Sequence, residues 1–141
     1  MSPSSSFNAP GAPRPVGPYP HARRAGDLLF LSGIGPRSPE DDSIPGTILD
    51  EAGTVIGYNF EAQCHSVFEN VRRVLDAAGA TLDDLVDVTV FLTDIASDFE
   101  VMNRIYAQYI NTDAPSRTTV EVRRLPTPIA IELKCIAAIH S

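Results

Sequence analysis

Residues 129–139 read Ile-Ala-Ile-Glu-Leu-Lys-Cys-Ile-Ala-Ala-Ile, a strand that is apolar on both sides except at Glu132 and Lys134. Successive side chains of a strand point to opposite faces. Ile131, Leu133, Cys135 and Ala137 therefore share one face, and Ala130, Ile136 and Ala138 the other. A strand of this kind wants cover on both sides. The rest of the chain supplies cover for one. Asn59 is placed to cap a helix in which Phe60, Cys64, Val67, Phe68, Val71, Val74, Leu75 and Ala78 recur at helical spacing, and Gly79 closes it. Ser97-Asp98-Phe99-Glu100 has the form of a capping box, opening a second helix with Phe99, Met102, Tyr106, Tyr109 and Ile110 as its stripe.

Further strands are predicted at 27–32, in an alternating run through Val86, Val88, Val90 and Leu92, and at 117–122 after Pro115. Thr81 opens a single capped turn before the second of these. The order is β-β-α-β-α-β-β, an α+β sandwich of two helices on one mixed sheet. Right-handed crossovers put both helices on the same face. The other face of the last strand is then left for a second copy of the chain, so a homo-oligomer is expected.

With 141 residues the chain is one domain. Six of its twelve prolines lie in the first twenty residues, and residues 1–15 are predicted to form a flexible arm, with the folded domain spanning 16–141. The stretch from Pro36 to Gly53, with Glu40, Asp41 and Asp42, reads as a long acidic loop.

Charge and motifs exclude several functions. Eleven basic and eighteen acidic side chains give a net charge of −7, a poor match to a phosphate backbone, so no nucleic-acid partner is expected. No apolar run is long enough to span a bilayer and no basic-then-apolar leader opens the sequence, so no membrane partner and a cytoplasmic location are expected. Cys64 and Cys135 fit buried thiols in a reducing compartment, and His21, His65 and His140 show no metal-ligand spacing. The phosphate-loop, dinucleotide and nucleophile-elbow motifs are absent.

Three polar residues sit where the pattern calls for apolar ones. Asn103 lies on or beside the stripe of the second helix, Arg117 opens a strand after Pro115-Ser116, and Glu132 interrupts the most apolar strand. Each alone is consistent with an ordinary structural role. Together they form a set suited to a small carboxylate ligand and a proton transfer.

At these residues the sequence resembles the Rid (YjgF) family of reactive-intermediate deaminases. The resemblance rests on Gly17-Pro18-Tyr19, Leu31-Ser32-Gly33, Asn103 before Tyr106, the run from Pro115 to Val122, and Ile131-Glu132-Leu133-Lys134-Cys135-Ile136-Ala137. It implies a chorismate-mutase-like fold and a homotrimer with sites in the clefts between subunits. It also implies hydrolysis of imines and enamines to 2-oxo acids and ammonia, with no metal or organic cofactor. By position, Arg117 would bind the substrate carboxylate, Tyr19, Ser32 and Asn103 would line the cleft, and Glu132 would position or deprotonate water. Thr119 stands where many members carry a cysteine.

The residues after Gly-Pro-Tyr and after Ser32-Gly33 resemble the 2-aminomuconate deaminase branch, whose small dicarboxylate substrate would be converted to 4-oxalocrotonate in bacterial aromatic catabolism. Its distal carboxylate would need a second cation. His21, Arg23, Arg24 and Arg37 are candidates, with His21 and Arg37 preferred. A general 2-imino acid or 2-aminoacrylate deaminase and a non-catalytic carboxylate-binding regulator are the alternatives, and pairing of trimers into hexamers stays open.

Overall fold

A computed structural model describes residues 4–111 and 115–139; His140 and Met1–Pro3 lie outside that range. The elements are β1 (Ser4–Phe7), β2 (Ala22–Ala25), β3 (Leu28–Leu31), β4 (Thr47–Leu49), β5 (Val55–Tyr58), α1 (Phe60–Ala77), β6 (Leu85–Leu92), α2 (Ile95–Tyr109), β7 (Ser116–Glu121) and β8 (Ile131–Ala138). Six strands form one sheet in the order β1-β2-β3-β8-β6-β7, in which only β6 and β7 run parallel. The expected α+β sandwich of two helices on a mixed sheet is present.

The predicted strand of double apolar character, β8, occupies the middle of the sheet between β3 and β6. Ile131, Leu133, Cys135 and Ala137 are wholly buried beneath the helices, while Glu132, Lys134, Ile136 and Ala138 on the other face are half-buried. Asn59 caps α1 through a bond from the Ala62 N–H, and Gly79, at φ 76°, ends it in the left-handed region where a side chain would be strained. The two helices pack on each other through Phe68, which stacks on Tyr109 at 4.6 Å and meets Tyr106 edge-on. Cys64 and Cys135 are free and buried, and burial pushes both thiols up to about 12.

Several expectations are corrected. Helix α2 starts at Ile95, two residues before the Ser97 box. Asp94 is its cap, accepting the Ser97 N–H, and Glu121 accepts the Ile95 N–H. Asp98, assigned to the box, is instead buried and accepts a 2.6 Å bond from the Tyr58 hydroxyl. Tertiary partners settled a choice between two adequate caps.

The arm at 1–15 is not a loose arm over its described part. Ser4–Phe7 pairs antiparallel with β2, and Ala9 and Ala12 are buried. His21 makes this possible: its Nδ1 accepts the Ala9 N–H at 2.8 Å and its Nε2 donates to the Pro13 carbonyl at 2.6 Å. The prolines of the segment fix its backbone against that anchor rather than loosening it. The 36–53 stretch is also more ordered than expected. Its end forms the hairpin β4–β5, closed by Asp50, whose carboxylate accepts the Ala52 and Thr54 N–H groups. Strands this short carry too few alternating residues to show in the sequence.

Candidate active site

The C-terminal end of β3 and the N-terminal end of β8 meet at one edge of the open sheet face. Ile34 and Leu133 exchange backbone hydrogen bonds there, at 2.8 and 2.9 Å, which lays Ser32 and Gly33 against Glu132. Residues 13–16 of the anchored N-terminal segment close over them. The result is a cavity of about 50 Å³ whose walls include Tyr19, His21, Ser32, Gly33, Arg37 and Glu132. That volume holds water but not a substrate of several heavy atoms.

Glu132 is the carboxylate on this cavity's wall. Burial raises its proton affinity above the ordinary carboxylate range. Lys134 does not relieve it, because the Lys134 ammonium donates to the Leu31 carbonyl. Burial also lowers the Lys134 pKa. The carboxylate takes this position against a glycine. A Cβ there would lie 2.5 Å from Glu132 Oε2 and 3.0 Å from Cδ. Because those atoms are the far end of a flexible side chain, Gly33→Ala is expected to fold with little loss of stability and a displaced carboxylate. Thermal denaturation together with steady-state turnover checks this; unchanged turnover would mean the close approach has no bearing on chemistry.

The other wall residues have defined tasks. Ser32 Oγ donates to the Pro20 carbonyl at 2.7 Å and its N–H bonds the His21 carbonyl, so it ties the Tyr19–His21 turn to β3. Tyr19 is partly exposed, with its hydroxyl accepting the Val16 N–H at 3.3 Å. Arg37 pairs with Asp42 at 2.9 Å and donates to the Arg14 carbonyl. His21, expected as a cation for a distal carboxylate, is corrected. A ring whose Nδ1 accepts from one amide while Nε2 donates to a carbonyl is the neutral tautomer, and neither nitrogen is available to a ligand. Of the other two candidates, Arg24 donates to the Gly26 carbonyl, and neither Arg23 nor Arg24 is among the wall residues.

Arg117, Thr119 and Asn103 are elsewhere in the chain. Arg117 pairs in register with Val88 and Thr119 with Val90, both buried on the helix face, whereas Glu132 pairs with Phe91 on the open face. Strand β6 stands between β7 and β8, so the two groups are separated by roughly 10 Å of sheet and lie on opposite sides of it. Arg117 lies over the rings of Tyr106 and Phe99, and Asn103 shares their side of α2 by its i+4 spacing from Phe99. The chain thus holds two separated groups of candidate residues, an inner one of Tyr19, Ser32 and Glu132 and an outer one of Asn103, Arg117 and Thr119.

Two supporting residues were not legible beforehand. Asn70, buried on α1, donates to the carbonyls of Gly35 at 2.9 Å and Arg37 at 2.8 Å and so fixes the loop that forms one wall. Gln63, fully buried on α1, accepts the Ala130 N–H at 2.8 Å just ahead of Glu132. Their only signal is amides on the apolar stripe of a helix, a weak one. Asn70→Ala leaves both carbonyls without this donor and is expected to cost about 1–3 kcal/mol, measurable by denaturant titration.

A small two-layer domain with a water-sized cavity at a strand junction, and a cation on its outer strand, defines a class of single-domain α+β proteins with a candidate ligand site. Comparison with known proteins gives the family. Residues 9–139 match the Endoribonuclease L-PSP family, and the chain belongs to this family, also called Rid or YjgF. It is 39% identical to a RutC family protein of Pyrococcus horikoshii over 89% of this chain and 90% of the relative. It is 32% identical to a 2-iminobutanoate/2-iminopropanoate deaminase of Dermatophagoides farinae over 99% and 100%. It is 36% identical to the chloroplastic Reactive Intermediate Deaminase A of Arabidopsis thaliana over 91% and 62%. Among solved structures, RidA from an Antarctic Psychrobacter superposes with a TM-score of 0.82 at 32% identity, covering 96% of this chain and 99% of that one. These neighbours share the α+β fold described above.

Proposed function

We propose that this chain is a hydrolytic deaminase of 2-imino acids and their enamine tautomers. The observation that carries this is Glu132, a carboxylate of raised proton affinity facing a cavity of water size. Relatives of the same family bear deaminase names, one of them matched over its full length, which supports the general 2-imino acid substrate over the narrower 2-aminomuconate. Protonation of the enamine at carbon gives the iminium. Water adds to the iminium carbon as Glu132 accepts one of its protons, giving a neutral carbinolamine. Glu132 then returns that proton to the nitrogen, and the C–N bond breaks as the carbinol hydroxyl passes its own proton back to Glu132, leaving 2-oxo acid and ammonia. Arg117 of a second copy, brought across the open face in a homotrimer, holds the substrate carboxylate, with Asn103 and Thr119 beside it. The reaction draws on side chains alone and takes place in the cytoplasm, with no nucleic-acid partner.

The 2-aminomuconate reading is favoured by one observation: Arg14 and Arg37 are both among the cavity walls, although Arg37 is paired with Asp42. The deciding experiment measures ammonia release from freshly generated 2-iminopropanoate, 2-iminobutanoate and 2-aminomuconate side by side. Faster turnover of the monocarboxylic imines is expected. A preference for the dicarboxylate would select the narrower substrate, and carboxylate binding without ammonia release from any of them would make the protein a regulator instead.

A further inference from the structure

The outer group contains an arrangement that the mechanism above leaves unused. The Arg117 guanidinium carbon lies 4.8 Å from the centroid of the Tyr106 ring and 5.8 Å from that of Phe99. Both aromatics come from α2, seven residues apart, on the same side of the helix. Among the described residues no hydrogen bond or ion pair engages the Arg117 guanidinium. A guanidinium is more often held by a carboxylate, but that partner would occupy its N–H groups and cancel its charge. Aromatic faces hold it by its flat side and leave the N–H edge open. The Tyr106 hydroxyl is buried without a hydrogen-bond partner. The ring, not the hydroxyl, is therefore what Tyr106 supplies to Arg117.

We infer that Tyr106, assisted by Phe99, is a positioning residue that aims Arg117 at the substrate carboxylate while keeping all its donors free. This rests on the carboxylate-clamp role given to Arg117 above. Loss of the ring allows the guanidinium to wander, which weakens capture of the substrate more than the chemical step. Tyr106→Leu is expected to raise KM for 2-iminobutanoate about 5- to 20-fold, the range of a partly desolvated cation–π contact, with kcat changed less than about threefold. Tyr106→Phe, which keeps the ring, is expected to rescue KM to within about twofold of the parent.

Should Tyr106→Leu fail to fold, Phe99→Leu takes its place, with a smaller rise in KM in the same direction. A leucine variant that folds and keeps the parental KM overturns the inference, as does a Tyr106→Phe variant as impaired as Tyr106→Leu. Arg117→Ala is measured alongside. If it too retains parental kinetics, the clamp itself has failed; if it is inactive while the leucine variants are normal, only the aromatic support has failed.

Discussion

Arg117→Ala is expected to abolish saturable turnover, lowering kcat/KM by about 10²- to 10³-fold while fold and assembly persist. The guanidinium lies over α2 aromatics on the outer strand and bonds nothing else among the described residues, so its removal leaves no buried partner stranded. Circular dichroism and sedimentation should be unchanged, in contrast to the kinetics. Because Arg117 and Glu132 sit on opposite faces of the sheet, the variant also tests how the site is built. Chains carrying Arg117→Ala, refolded together with chains carrying Glu132→Gln, should regain activity that neither has alone. Each mixed cleft can then pair an intact arginine with an intact glutamate. If the mixture stays inactive although mixed oligomers form, a cleft shared between chains is ruled out.

Glu132→Gln should lower kcat by about 10²- to 10⁴-fold with a smaller effect on KM, the span of a lost general base. The same carboxylate predicts the pH profile. Its proton affinity is raised by burial, so it stays protonated to a higher pH than an ordinary carboxylate, and the protonated form is inactive as a base. Activity should rise with pH through that elevated value, and the glutamine variant should lose this limb. Stability should move the other way. A group whose folded pKa is raised favours the fold below its unfolded pKa, and this contribution is lost as pH climbs through the folded value. The neutral glutamine escapes that loss, so at neutral pH the variant should melt no lower than the parent. A large fall in Tm would instead assign Glu132 a structural role.

The elements with long, regular apolar spacing were legible in advance. Helix α1, its Asn59 cap and Gly79 terminus, and strands β6 and β8 fall within a residue or two of where periodicity placed them. The hairpin β4–β5 and the edge strand β1 were not, since three or four residues give period-two alternation no room to declare itself. Asn103, Arg117 and Glu132 stood out because each broke an apolar pattern. Asn70 and Gln63 broke one too, at the buried face of α1, but a helix amide carries no hint of the distant carbonyl or N–H it serves.

His21 shows the limit most plainly. Near Arg23 and Arg24 in sequence it reads as part of a basic cluster, yet its ring is shared between the backbones of Ala9 and Pro13. Periodicity determined that two helices would cover one side of an apolar strand, and residue chemistry singled out an arginine, an amide and a carboxylate as the candidate reactive groups. Only the tertiary structure decided that the arginine and the carboxylate lie on opposite faces of the sheet. Face is set by strand register, and register by pairing with β6, a long-range contact that no local spacing encodes.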